Sequence, residues 1–153
     1  MELEEAECKR LAHQHLSEVR RLEKELVASK QRLREAVEAS GTTLTDVYGV
    51  GPAVASLLIC FSGDIARFPT RHRYATYNAT APIDASSGSN QRHRLNARGN
   101  RMLNDALHLI AITQLRYPDT EGRTFYERKL AEGKTRKEAI RSLKRRLSDV
   151  VYR

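Results

Sequence analysis

Apolar residues recur at helical spacing along the first forty positions. Ala12, Val19, Leu26 and Leu33 lie seven apart, with Cys8, His15, Leu22, Ser29 and Ala36 at the companion position, an a/d seam with weak or polar entries. Neither Gly nor Pro interrupts the run before Gly41, so the spacing predicts one coiled-coil-like connector helix over residues 1–40. Glu18, Arg20, Arg21, Glu23, Lys24 and Glu25 flank the seam with both signs of charge, as solvent-facing positions that select a partner helix do. His13 and His15, two apart, point to different helix faces and make a poor metal pair.

The pattern breaks at Gly41-Thr42-Thr43-Leu44-Thr45, which sets a domain boundary and opens a second domain over 41–153. Residues 44–62 read as a short helix, a Gly49-Val50-Gly51 hairpin and a second helix with Pro52 in its first turn, a helix-hairpin-helix pattern. In such a pattern Gly49 and Gly51 let the backbone come close to a phosphate while the unpaired amides of the second helix face it. The same glycines also suit a plain packing turn. Gly63–Thr70 ends that helix, and Arg71–Tyr77 forms a short amphipathic piece in which Tyr74 and Tyr77 serve as stacking rings or as core anchors.

Beyond a polar, Ser/Gly-rich loop at about 80–100, Met102–Thr113 predicts a strongly apolar central helix, with His108 as a core or groove residue rather than a ligand. Two basic helices follow within 121–153, separated by Glu132-Gly133-Lys134, with Thr135 and Glu138 forming a capping box. Ala139, Ile140, Leu143 and Leu147 supply the inward stripe of the last helix. Arg136, Lys137, Arg141, Lys144 and Arg145 remain outside, to bind DNA or RNA phosphates or simply to be solvated. The fold class expected is therefore mainly α: a long N-terminal helix, then a compact helical domain containing the helix-hairpin-helix.

Charge sharpens the division. Residues 1–40 hold eight Lys+Arg against nine Asp+Glu, whereas 41–153 hold nineteen against ten, so the whole formal +8 comes from the second domain. That imbalance points to a phosphate-rich partner, because neutralising phosphates releases counterions. No apolar run approaches the about 20 residues needed to span a bilayer, and the acidic start is unlike a secretory leader. The expectation is a cytoplasmic protein with no membrane partner. Cys8 and Cys60 are far apart, each without a second Cys nearby, and read as two reduced thiols with no metal role.

The candidate chemistry lies in the loop. A Ser beside Gly88, followed by Arg92, Arg94, Arg98 and Arg101, offers a hydroxyl free to attack and guanidinium groups to hold a phosphate, although a flexible Ser-Ser-Gly linker has the same composition. Tyr152 is the other nucleophile of recombinase type, but it is penultimate and no ordered Arg/His set precedes it.

The ordered series Gly49-Val50-Gly51-Pro52, Gly63-Asp64-Ile65, Arg67-Phe68-Pro69, Tyr74-Ala75-Thr76-Tyr77, Ala81-Pro82, Ser86-Ser87-Gly88 and Arg98-Gly99-Asn100-Arg101 resembles the C-terminal serine (Tnp) domain of the insertion-sequence transposase family one-ten. Those are bridge-RNA-guided serine-type DNA recombinases, and the resemblance runs from about Leu44 to the end. It implies that Ser87, with Ser86 as fallback, attacks a DNA phosphodiester and holds the strand as a phosphoserine during transposition. It also implies DNA and a structured guide RNA as partners, homo-oligomers through the N-terminal helix, and a bacterial, nucleoid-associated location when bound. Family members add an N-terminal RNase-H-like DEDD domain whose carboxylates bind magnesium. This sequence begins at the connector helix, so the expectation is a transposase fragment inactive alone, with no cofactor of its own. The other class of reading is a non-catalytic helix-hairpin-helix module for DNA binding and oligomerisation.

Overall fold

A computed structural model describes the backbone of residues 2–84, 93–94 and 98–153, and the side chains of 5–82 and 98–153. The chain divides into two compact units, Met1–Gly41 and Thr42–Arg153. The first is the single helix α1 (Glu2–Ala39). Every side chain from Glu5 to Arg32 on it is exposed, Val19, Leu22 and Leu26 of the apolar seam included. Ion pairs at helical spacing lace its surface, among them Lys9 with Glu5 and Arg21 with both Glu18 and Glu25. Such exposed pairs add only a few tenths of a kcal/mol each, so the helix rests mainly on propensity and on the absence of breakers.

The second unit is built on α2 (Pro52–Ser62), α3 (Arg71–Tyr77), α4 (Arg101–Arg116), α5 (Glu121–Ala131) and α6 (Arg136–Val151). The expected mainly-α class is found, and α4 is its central element, touching α2, α5 and α6. Leu103, Ala106, Leu107, Ile110 and Ala111 of α4 are fully buried. Their i, i+3, i+4, i+7, i+8 spacing makes one wide apolar stripe, met by Ala55 and Leu58 of α2 and by Ala139, Leu143 and Leu147 of α6. Asn100 starts α4 by accepting the Leu103 amide at 3.1 Å, and Pro118 ends it by holding Tyr117 in extended backbone. The Thr135/Glu138 capping box opens α6 as its sequence predicts.

Three sequence expectations are corrected. The first helix of the hairpin is a single 3-10 turn, Leu44–Asp46, so only α2 stands as an α-helix there. His108 lies on the exposed face of α4 rather than in the core, because the buried stripe passes on the other side of the helix. A short antiparallel ladder, β1 (Ile83–Asp84) with β2 (His93–Arg94), lies within the interval read as plain loop, with Ile83 opposite Arg94 and Asp84 opposite His93. Its two-residue strands carry no period-2 signal long enough to detect.

The polar centre of the unit is Asn78, fully buried where α3 ends. Its Nδ2 donates to Ser148 Oγ of α6 at 2.7 Å, and its Oδ1 accepts from the Thr80 hydroxyl and amide at 2.6 and 3.2 Å. Its carbonyl accepts from Asn104 Nδ2 of α4 at 3.0 Å, and Lys144 Nζ of α6 donates to Asn104 Oδ1 at 2.5 Å. Burial holds the Lys144 ammonium below its usual pKa, partly offset by Asp105. One residue thus binds α3, α4 and α6 together. Asn78→Ala leaves the buried Ser148 hydroxyl and the half-buried Thr80 hydroxyl and amide without their partner and is expected to cost about 2–3 kcal/mol in urea unfolding. A cost under about 0.5 kcal/mol, the scale of a surface change such as Arg136→Ala, would show that the network does not hold the fold.

Candidate nucleic-acid interface

The interval expected to carry the chemistry is anchored by its two feet. On the first, α3 closes with Ala79 in left-handed backbone, φ +62°, a conformation that glycine usually supplies. On the second, Gly99 passes so close that a Cβ there would lie 2.5 Å from the Ala79 Cβ and 2.6 Å from its amide nitrogen. The Asn100 amide donates to the Tyr77 carbonyl at 2.6 Å, fastening the start of α4 to the end of α3. The β1/β2 ladder then pairs the chain on either side of residues 85–92.

Between the feet opens a cleft of about 580 Å³. Helix α3 supplies His72, Thr76 and Tyr77, the following turn Ala81 and Pro82, and the approach to α4 Arg98, Gly99 and Asn100. Tyr77 is fixed in place. Its hydroxyl donates to the Phe61 carbonyl and accepts from Asn100 Nδ2, each at 3.3 Å, and the Arg67 guanidinium sits 4.8 Å from its ring and 4.6 Å from that of Phe68. The hydrogen bond from Asn100, then that from Arg67, holds the Tyr77 phenol below its ordinary pKa. Electrostatically the surroundings are one-sided: no Asp or Glu occurs from 65 to 83, where Arg67, Arg71 and Arg73 stand. Arg71, Arg73 and Arg101 form no ion pair among the described residues.

The remaining predicted residues fall in different places. Ser86, Ser87 and Arg92 lie outside the described residues, and of Arg94 only the strand is described. Gly49, at φ +90°, turns the backbone against α4, where an added Cβ would lie 3.3 Å from Thr113. Gly51 has open space around it at the start of α2. On α6, Arg136, Lys137 and Arg141 are exposed; Lys144 is half-buried on Asn104, and Arg145 pairs with Asp149. Tyr74 is a core anchor, hydrogen-bonded to Ser62 at 2.8 Å. Tyr152 donates its hydroxyl to the Phe68 carbonyl at 2.8 Å and so braces the turn before α3. Both thiols are exposed, and among the described residues no three His, Cys, Asp or Glu side chains gather to hold a metal ion. No described helix is long and apolar enough to cross a membrane. Sequence reasoning missed His72, Thr76 and Asn100 as cleft residues and Asn78 and Asn104 as their support, since nothing in their spacing marks which polar side chains the fold will turn inward.

The second unit is a small basic helical domain with a cleft that Arg98 lines. Residues 41–127 match the model described as Transposase IS116/IS110/IS902 family, and the chain belongs to that family. It is 36% identical over 110 residues to the Insertion element IS110 uncharacterized 43.6 kDa protein of Streptomyces coelicolor, covering 71% of this chain and 27% of that protein. It is 33% identical over 99 residues to the Insertion element IS900 uncharacterized 42 kDa protein of Mycobacterium paratuberculosis, covering 64% and 25%. With the Insertion element IS116 uncharacterized 44.8 kDa protein of Streptomyces clavuligerus it shares 27% identity over 146 residues, covering 93% and 35%. The chain therefore spans between a quarter and about a third of the length of these relatives.

Gly99→Ala tests the close approach of the feet. The new methyl meets backbone atoms of Ala79, which cannot swing aside, so thermal or urea unfolding should show a loss of about 1–3 kcal/mol. Unchanged stability would mean that the feet are not held at contact.

Proposed function

We propose that this chain is the serine-bearing part of a DNA transposase, acting on a DNA phosphodiester through Ser87, with Ser86 as the fallback hydroxyl. The observation that carries the reading is family membership over residues 41–127, an interval that includes Ser87 and its two anchored feet. In the reaction the Ser87 hydroxyl oxygen attacks phosphorus, the deoxyribose oxygen leaves with a proton, and the strand stays on the protein as a phosphoserine. The energy of the broken ester is kept in the new one, so resealing needs no external source. Arg92, Arg94, Arg98 and Arg101 serve to hold the phosphate and its developing charge.

Binding to DNA in this reading comes mainly from backbone contacts. Gly51 lets a phosphate approach the free amides at the start of α2, while Gly49 shapes the turn that presents them. Arg136, Lys137 and Arg141 add an exposed basic edge on α6, and Lys144 and Arg145 support that edge from their internal partners. A structured guide RNA is the second polyanion the family membership suggests. Exposed Val19, Leu22 and Leu26 make α1 the surface for pairing with another copy. No step in this chain is routed through a metal ion, and magnesium enters the reading only with the separate nuclease domain that the family resemblance implies. The bacterial cytoplasm, on the nucleoid, is the compartment where such a protein meets its DNA.

The test is covalent. The chain is incubated with nicked or suicide DNA substrates, with and without a full-length relative, and denatured. A protein–DNA adduct is expected that disappears in Ser87→Ala and persists in Tyr152→Phe, which loses only the hydrogen bond to Phe68, worth about 1 kcal/mol of stability. An adduct that survives Ser87→Ala and also Ser86→Ala overturns the nucleophile. Salt-sensitive DNA binding with no adduct under any condition selects the binding and oligomerisation module instead.

A further inference from the structure

The walls of the cleft between the feet suit a ligand other than a phosphate. Most of their surface is carbon, from the Tyr77 ring, Ala81, Pro82 and the aliphatic part of Thr76, with His72, Arg98, Asn100 and the Thr76 and Tyr77 hydroxyls as the polar side-chain groups. A phosphate site would be lined by converging N–H donors. Flat apolar walls with sparse polar atoms at the edge suit a heteroaromatic ring, and about 580 Å³ lies within the ~300–1,000 Å³ range of small-molecule sites. The space takes one base out of its stack and is far too small for a base pair within a duplex.

Rigidity favours the same ligand. The Tyr77 ring is fixed by its hydroxyl bonds to Phe61 and Asn100 and by Arg67 and Phe68 packed against it, so contact with the part of the ring that lines the cleft sacrifices little side-chain freedom. Arg71 and Arg73 on α3 and Arg101 on α4, without ion pairs among the described residues, provide positive charge for the phosphates on either side of an inserted base.

We propose that this cleft receives a single unpaired nucleobase, stacked against Tyr77 and Pro82 with His72 at its edge, and so holds DNA that has been locally opened beside the serine segment. The proposal rests on the reading of the chain as a DNA-handling domain and adds the form of DNA it holds. A base extruded here lies against Ala81 and Pro82, which immediately precede β1 in the chain.

The whole chain is titrated into two duplexes of equal length, one fully paired and one carrying 2-aminopurine opposite an abasic position. Binding is read by anisotropy and by 2-aminopurine emission, with free deoxynucleoside monophosphate as competitor. The opened duplex is expected to bind about tenfold more tightly, the size of one base–aromatic stacking interaction, with a change in emission. Thr76→Trp, which fills the cleft, should remove most of that preference, and His72→Ala, at an exposed position on the base's edge, should reduce it about twofold to threefold, both keeping affinity for the paired duplex and the helical circular dichroism. Equal affinity for the two duplexes overturns the cleft assignment and leaves DNA binding standing. So does a preference that survives both substitutions; if Thr76→Trp alters the helical spectrum, His72→Ala decides. No binding to either duplex overturns the DNA-handling reading itself.

Discussion

A buried amide at the end of a seven-residue helix holds the second unit together. Asn78 cannot leave its donors and acceptors unmatched in the interior, so the turn after α3, the side of α4 and the C-terminal half of α6 must all come to it. Helix α3 is too short to be stable alone, and its place comes from tertiary contacts: Tyr74 in the core, Asn78 at its end, and the Tyr152 hydroxyl on the Phe68 carbonyl just before it. The left-handed Ala79 and the bare backbone of Gly99 complete the arrangement by letting two chain segments touch where no side chain fits. The chain enters and leaves the interval between Pro82 and Arg98 beside that contact.

Charge in this protein is divided between structural and outward uses. Arg145, Arg146, Arg123, Arg128 and Lys129 all have carboxylate partners nearby, on their own helix or across α5 and α6, and Lys144 is drawn inward to Asn104. The α5/α6 side is therefore less available to a polyanion than its composition suggests. The interval from Arg67 to Arg101 is different: seven arginines stand there against the single carboxylate Asp84. Arg71, Arg73 and Arg101, on α3 and at the start of α4, form no ion pair among the described residues, so a phosphate meets fewer competing carboxylates there than along α5 and α6.

Elements whose identity rests on local pattern were legible in the sequence. The breaker-free heptads of α1, the apolar stripe of α4, Pro52 at the first turn of α2 and the Thr135/Glu138 box of α6 each carry a signal within one or two turns of chain. The helix before the Gly-Val-Gly turn was misread because Leu44–Asp46 offers the composition of a helix but space for only one 3-10 turn. For the site, a basic run singles out Arg98 as a candidate phosphate holder but does not say that it lines a cleft, and His72, Thr76 and Asn100 carry no local mark of one. His108 shows the limit in the opposite direction. An apolar helix is not apolar on every side, and which face becomes the core depends on α2 and α6 packing against it.

The sequence by itself determined the helical class, the division near residue 41, the basic excess of the second unit and the family to which residues 41–127 belong. These follow from short-range periodicity, breakers, summed charge and the order of motifs, none of which requires knowing which residues meet in space. Tertiary structure alone decided that Lys144 and Arg145 are engaged internally, that Tyr152 is a brace, and that Tyr77, Arg98 and Asn100 face one cleft. The physical reason is that burial and pairing are properties of contacts between distant segments. Tyr77 and Asn100 are 23 residues apart, Asn78 and Ser148 are 70, and Phe68 and Tyr152 are 84, and only the packing of α3 against α6 and the joining of its end to the start of α4 bring them within a hydrogen bond.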